Sequence, residues 1–163
     1  MNFPVRPLAT CLFVLLISAC ASTDPGGSGT PAASTGRVAD YRNSRADVVV
    51  LSFFDMYCHQ CQTAASHVND LHALSRQRGL GSKTDFYAIG WGNTPMESEM
   101  YRTRFNVPFA IVPDRDLSIS KRFGKFRPPL LIALRKEGGQ WKEFYRVTDV
   151  RNKSESILAS IQP

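Results

Sequence analysis

Residues 47 to 54 read DVVVLSFF, a nearly unbroken run of β-branched and aromatic side chains. A strand buried on both faces of a sheet has this pattern, because neither side of its pleat meets water. The period then changes. Ala64, Ala65, Val68, Leu71 and Leu74 recur at steps of three and four, which predicts a helix, and RGLG at 78–81 supplies its stop. TDFYAIGWG (84–92) reads as a second strand, and PMESEMYRTRF (95–105) as a second helix. Pro95 suits its first turn, where an N–H has no intrahelical partner, and acidic residues follow it. PFAIVPD reads as a third strand and DLSISKRFG as a short helix. PPLLIALRK and QWKEFYRVTDV flank EGG as a hairpin, and SESILASIQ is a closing helix. Strands alternating with helices and ending in a hairpin and a helix indicate an α/β layered fold.

The beginning of the chain does not share these periods. Residues 1–20 carry one basic residue, Arg6, then the apolar run CLFVLLI, then small residues around Cys20, which is the layout of a secretory signal. The run is short for a bilayer span. Ile17-Ser18-Ala19-Cys20 resembles the bacterial lipobox, in which the cysteine is acylated and becomes the first residue of the mature protein. Residues 21–40 are mostly small, polar, Gly and Pro, a flexible tether with an r.m.s. span of about 20 Å. That leaves 41–163 as one domain, since about 120 residues bury one core and not two. The expected location is the bacterial cell envelope, as a lipoprotein facing the periplasm. By resemblance to lipoprotein sorting in enteric bacteria, Ala21 in place of Asp favours the outer membrane.

Cysteine arithmetic brings in the chemistry. The chain has four cysteines, at positions 11, 20, 58 and 61. Cys11 leaves with the leader and Cys20 carries lipid, so Cys58 and Cys61 are the only thiols of the domain. One pair spaced C-x-x-C does not staple a secreted scaffold. It also falls short of a closed zinc site, because His59, His67 and His72 crowd the cysteines instead of standing off from them. In an exported protein the economical reading is a redox pair, which needs no cofactor.

The motifs extend that reading. FFDMYCHQCQ at a strand-to-helix turn, VPFAIVPDRDLSISKRFG in the middle and RPPLLIALRKEGG near the end fall in the order of a known family. The chain resembles the thioredoxin-like fold, and within it the exported TlpA-type and redoxin-type thiol-disulfide oxidoreductases, over roughly residues 46–160. The resemblance implies a three-layer sandwich, with a central mixed sheet flanked by helices. It also implies a cis-proline before the fourth strand, packed against the sulfurs, with backbone beside it that pairs with an extended substrate. Register favours Pro129, with Pro128 as the alternative. Protein or small-molecule disulfides would be the substrates, with an upstream electron donor or acceptor.

Position assigns the sulfurs. A helix N-terminus has unpaired N–H groups and a positive dipole end, so a thiolate is stabilised there. Cys58 would attack and Cys61, one turn in, would resolve the mixed disulfide. His59 inside the motif, Tyr57 before it and Arg127 before the prolines are the expected supporting residues. His67 and His72 read as flank or surface residues. The sequence departs from the family where a carboxylate would take a proton, since Ala64 and Ser52 stand at those places with Asp55 or His59 as substitutes, and Ser66 stands where a proline would follow.

Charge narrows the partners. Twenty Lys and Arg against 14 Asp and Glu give a net charge of +6, but the basic residues are scattered, which argues against nucleic acid. No dimerisation segment is evident, so a monomer is expected and an isomerase disfavoured. Two other readings compete: a Cu(I)-handling module on the same cysteines, with His59 as nearest further ligand, and a peroxiredoxin-type peroxidase. The peroxidase lacks its proline and Thr or Ser, since Leu51 and Asp55 occupy their places. Redox direction is not fixed by the residues; the resemblance tilts it toward a reductase.

Overall fold

A computed structural model describes residues 39–162. The expected leader, the expected lipidation site Cys20 and the expected tether up to residue 38 lie outside the described residues.

The apolar run becomes the middle strand. β1 (Val48–Phe54) is buried along its length except for half-buried Ser52. It pairs parallel with β2 (Thr84–Trp91) on one side and antiparallel with β4 (Leu130–Glu137) on the other. β3 (Ala110–Asp114) adds parallel to β2, and β5 (Gln140–Val147) antiparallel to β4, giving a five-stranded mixed sheet in the order β3-β2-β1-β4-β5. The register brings Phe54 opposite Gly90 and Phe53 opposite Leu130, so the chain leaves β1 between the ends of β2 and β4.

Strand alternation divides the core. Val48 and Val50 meet Ala64, Val68 and Leu71 of α1 (His59–Gln77) together with Ile157, Leu158 and Ile161 of α3 (Ser154–Ile161). Each such side chain contributes about 1.5–3 kcal/mol by leaving water. α2 (Pro95–Phe105) lies beside α1, with Tyr101 and Ala65 in one cluster with Phe54 and Ala88. The side-chain amide of Asn69 on α1 donates to the carbonyls of Phe105 (2.9 Å) and Asn106 (3.3 Å), satisfying acceptors that the end of α2 leaves open. Thr94 and Glu97 form a reciprocal capping box at the start of α2, with Pro95 in its first turn.

The opposite face, with Val49, Leu51, Phe53, Ile132 and Leu134, is covered more thinly. The expected short helix in DLSISKRFG is a 3-10 turn of four residues, Ser120–Phe123, and a second such turn spans Tyr41–Asn43. Buried Asp114 accounts for the difference. Its carboxylate accepts from the N–H of Ile119 (2.9 Å) and of Ser120 (2.8 Å), which fixes the turn's start, and Gly124 at φ 84 ends it. Aromatic rings complete the layer: Phe53 meets Phe126 edge-on at 4.9 Å and Phe123 at 5.6 Å.

Gly90 marks where α2 closes on the sheet. A Cβ there would lie 2.6 Å from Ser98 Oγ, 3.1 Å from Asn93 Cβ and 3.2 Å from Phe54 Cζ. Gly90→Ala should therefore destabilise the protein by about 1–3 kcal/mol, as overpacking does. The check is a lower denaturant midpoint at unchanged slope; an unaltered midpoint would contradict the packing.

Candidate active site

The turn from β1 to α1 is held from several directions. The Asp55 carbonyl accepts from Cys58 N–H (3.1 Å) and the Asp55 carboxylate from Tyr57 N–H (3.0 Å). Buried Asn93, in the β2–α2 loop, accepts from Met56 N–H at 3.0 Å, and the Gln62 side chain donates to the Met56 carbonyl at 2.8 Å. Tyr57 is 71% exposed, yet its hydroxyl donates to Glu97 at 2.7 Å, the carboxylate that also caps α2. The motif is thereby tied to the neighbouring helix.

Cys58 is the N-cap of α1. Its backbone is extended, and its sulfur accepts from the Cys61 N–H at 3.3 Å, as a capping oxygen would. The same sulfur faces the carbonyl of Pro128 at 3.9 Å. Both cysteines are free thiols; Cys58 is half-buried, whereas Cys61 is 1% exposed. Burial pushes the Cys61 thiol far up, the adjacent Cys58 sulfur adds to this, and the Asp55 N–H facing it offsets only part. The Cys61 carbonyl accepts from the Tyr101 hydroxyl at 2.9 Å, and Tyr101 stacks on Phe54 with ring centres 3.8 Å apart.

The bond between Pro128 and Pro129 is cis, so Pro129 is the cis residue of the two. A groove of 570 Å³ runs beside it. His59, Gln60, Thr63 and Ala64 form one wall, Arg127, Pro128 and Pro129 another, and Thr148, Asp149, Val150 and Arg151 the end. His59 and Arg127, both exposed, are thus brought to one cleft with the prolines. Tyr57 does not line it. His67 lies on the flank of α1, where its carbonyl accepts from Ser154 Oγ at 3.4 Å. His72 is more than a surface residue: its ring meets those of Phe86 (5.1 Å) and Phe109 (5.2 Å), and burial lowers its pKa. Among the described residues no three His, Cys, Asp or Glu side chains converge as a metal would need.

Four contributors were not anticipated. The Thr94-x-x-Glu97 spacing is a readable capping signature and could have located Glu97. Asn93, Gln62 and Tyr101 carry no such mark, because each reaches a backbone atom that only the fold brings near.

With the sulfurs, their helix and the adjacent cis-proline placed on this strand order, the class of fold is defined: it is thioredoxin-like, with a C-x-x-C pair at the start of α1. No protein-family model matches the chain. By sequence it is similar to the thiol-disulfide oxidoreductase ResA of Geobacillus kaustophilus and to that of Geobacillus thermodenitrificans. Each is 25% identical over 127 residues, which is 78% of this chain and 68% of the relative. By fold it is similar to a secreted Mycobacterium tuberculosis disulfide oxidoreductase homologous to E. coli DsbE (TM-score 0.55, 15% identity, 71% of this chain and 80% of that one). It also resembles a DsbE-type thiol:disulfide interchange protein from Chlorobium tepidum (0.58, 15%, 71% and 78%) and StoA from Bacillus subtilis (0.51, 14%, 68% and 81%). The TlpA- and redoxin-type resemblance fits these relatives.

The protonated thiol of Cys61 couples stability to pH. Its folded pKa lies above that of an unfolded cysteine, about 8.5. The stability linked to it is therefore complete below that value and is lost as pH rises, at up to about 1.4 kcal/mol per pH unit. Denaturation of the reduced protein between about pH 7 and 9.5 should show a decline that Cys61→Ala flattens. Equal declines in both proteins would refute the assignment.

Proposed function

We propose that the chain is a disulfide reductase of the bacterial cell envelope, tethered by lipid on Cys20. One observation carries the reading: a half-exposed sulfur caps the helix directly over a buried, protonated one. The Cys58 thiolate attacks a substrate disulfide, forming a mixed disulfide and releasing one substrate thiolate. Cys61 then gives up its proton and attacks Cys58, which expels the second substrate thiol. Two electrons pass to the substrate and the protein is left as the Cys58–Cys61 disulfide, to be reduced again by an upstream dithiol.

Direction is supported by the surroundings of Cys61. Thiolate stabilisation favours the dithiol form and makes a pair oxidising; Cys61, kept protonated by burial, contributes none of it. Envelope location is supported by the leader-like first 20 residues and by the secreted relative. Supporting roles fall to Pro129, which walls the groove, to His59 and Arg127 at its rim, and to Tyr57, which anchors the turn. The Cu(I) alternative gains nothing from exposed His59.

Three experiments test this. Cys61→Ala should accumulate mixed disulfides through Cys58, since attack survives while resolution is lost, and Cys58→Ala should trap almost none. The reverse pattern would reassign the roles, and an equilibrium titration against glutathione that gives a poise as oxidising as about −120 mV would exclude a reductase. Separately, the full chain expressed in a Gram-negative host should fractionate with membranes, and Cys20→Ser should release it or block its processing. Recovery of the wild type wholly in the soluble periplasm would remove the lipid anchor.

A further inference from the structure

We propose that the groove beside Cys58 selects disulfides carried by acidic polypeptide, an inference that rests on the exchange chemistry above. Its wall nearest the sulfur is made of two consecutive prolines. Neither has a backbone N–H, so the main chain at 128 and 129 offers a substrate carbonyl oxygens only. A substrate strand can donate its own N–H groups here but finds no donor in return. Donors for the substrate's acceptors have to come from side chains.

Gln60, Thr63 and Thr148 are neutral donors, and the charged donor beside the prolines is Arg127. Arg127 stands exposed at the rim and, among the described residues, joins no salt bridge. Its guanidinium is free to take a carboxylate in a bidentate grip. The groove's one carboxylate is already engaged: Asp149 lies 2.9 Å from Arg151 Nε and 3.6 Å from Lys153 Nζ. These partners hold it ionised, Arg151 foremost, so it projects little net negative charge toward the cleft. His59 adds ring nitrogens at the mouth. An approaching carboxylate thus meets an unoccupied guanidinium, while an approaching ammonium finds the groove's carboxylate already paired. A volume of 570 Å³ accepts a ligand the size of a few residues in extended form, which supplies both the N–H groups for the proline carbonyls and the carboxylates for Arg127.

The test is the single-turnover rate of the reduced full chain with three peptide disulfides of one sequence. The residues flanking the cysteines are Glu in the first, Ser in the second and Lys in the third. The Glu peptide should react roughly tenfold faster than the Lys peptide, with the Ser peptide between, and the spread should narrow in about 0.5 M salt. Arg127→Gln should shrink the Glu-to-Lys ratio several-fold, and Arg127→Lys should keep most of it. Equal rates for the three peptides, or a ratio untouched by Arg127→Gln, would overturn the inference while leaving disulfide exchange standing. Glutathione disulfide outpacing the Glu peptide would overturn its polypeptide part. If none of the peptides is reduced, the exchange reading itself fails and this one falls with it.

Discussion

Double pairing of β1 is the constraint on which the other features depend. A strand paired on one edge only can slip by a residue and turn its apolar set outward. β1 is held against β2 and β4 at once, in parallel and antiparallel register, and both of its faces are packed. Its end therefore has one position. Everything that touches the sulfurs follows from that end: the loop of Asn93 on the β2 side, the two prolines entering β4 on the other, and α1 directly ahead.

The environment of the two sulfurs is asymmetric, and the asymmetry is one of solvation more than of charge. Cys58 is half-exposed and caps the helix through the Cys61 N–H. Cys61 has its carbonyl held by Tyr101, its sulfur near the Asp55 amide, and almost no contact with water. Where the family resemblance leads one to look for a carboxylate there are buried Ala64 and half-buried Ser52. The proton on Cys61 is consequently held by desolvation.

Much of this was readable from the chain because it depends on local rules. β1, α1, β2, α2, the hairpin and α3 follow from period, length and turn residues, and the Cys58–Cys61 pair from spacing and elimination. Resemblance, not period, supplied the cis-proline, and the structure places that bond before Pro129. What escaped was tertiary. Asp114 sits at a strand end as an unremarkable acid, yet its two backbone contacts turn an expected helix into a 3-10 turn. Asn93 and Tyr101 act across about forty residues of sequence, from loops and helix faces whose partners no periodicity names. His72 looks like any polar position on a helix flank until Phe86 and Phe109 close on it.

The outer strands carry a further consequence. A sheet with open margins invites other strands to add to it. β3 is only five residues long and holds Pro113, which has no N–H to offer a sixth strand. β5 is longer but is studded with Lys142, Glu143 and Arg146, whose charges would have to be stripped of water by any newcomer. Both margins of the sheet thus discourage a further strand from adding.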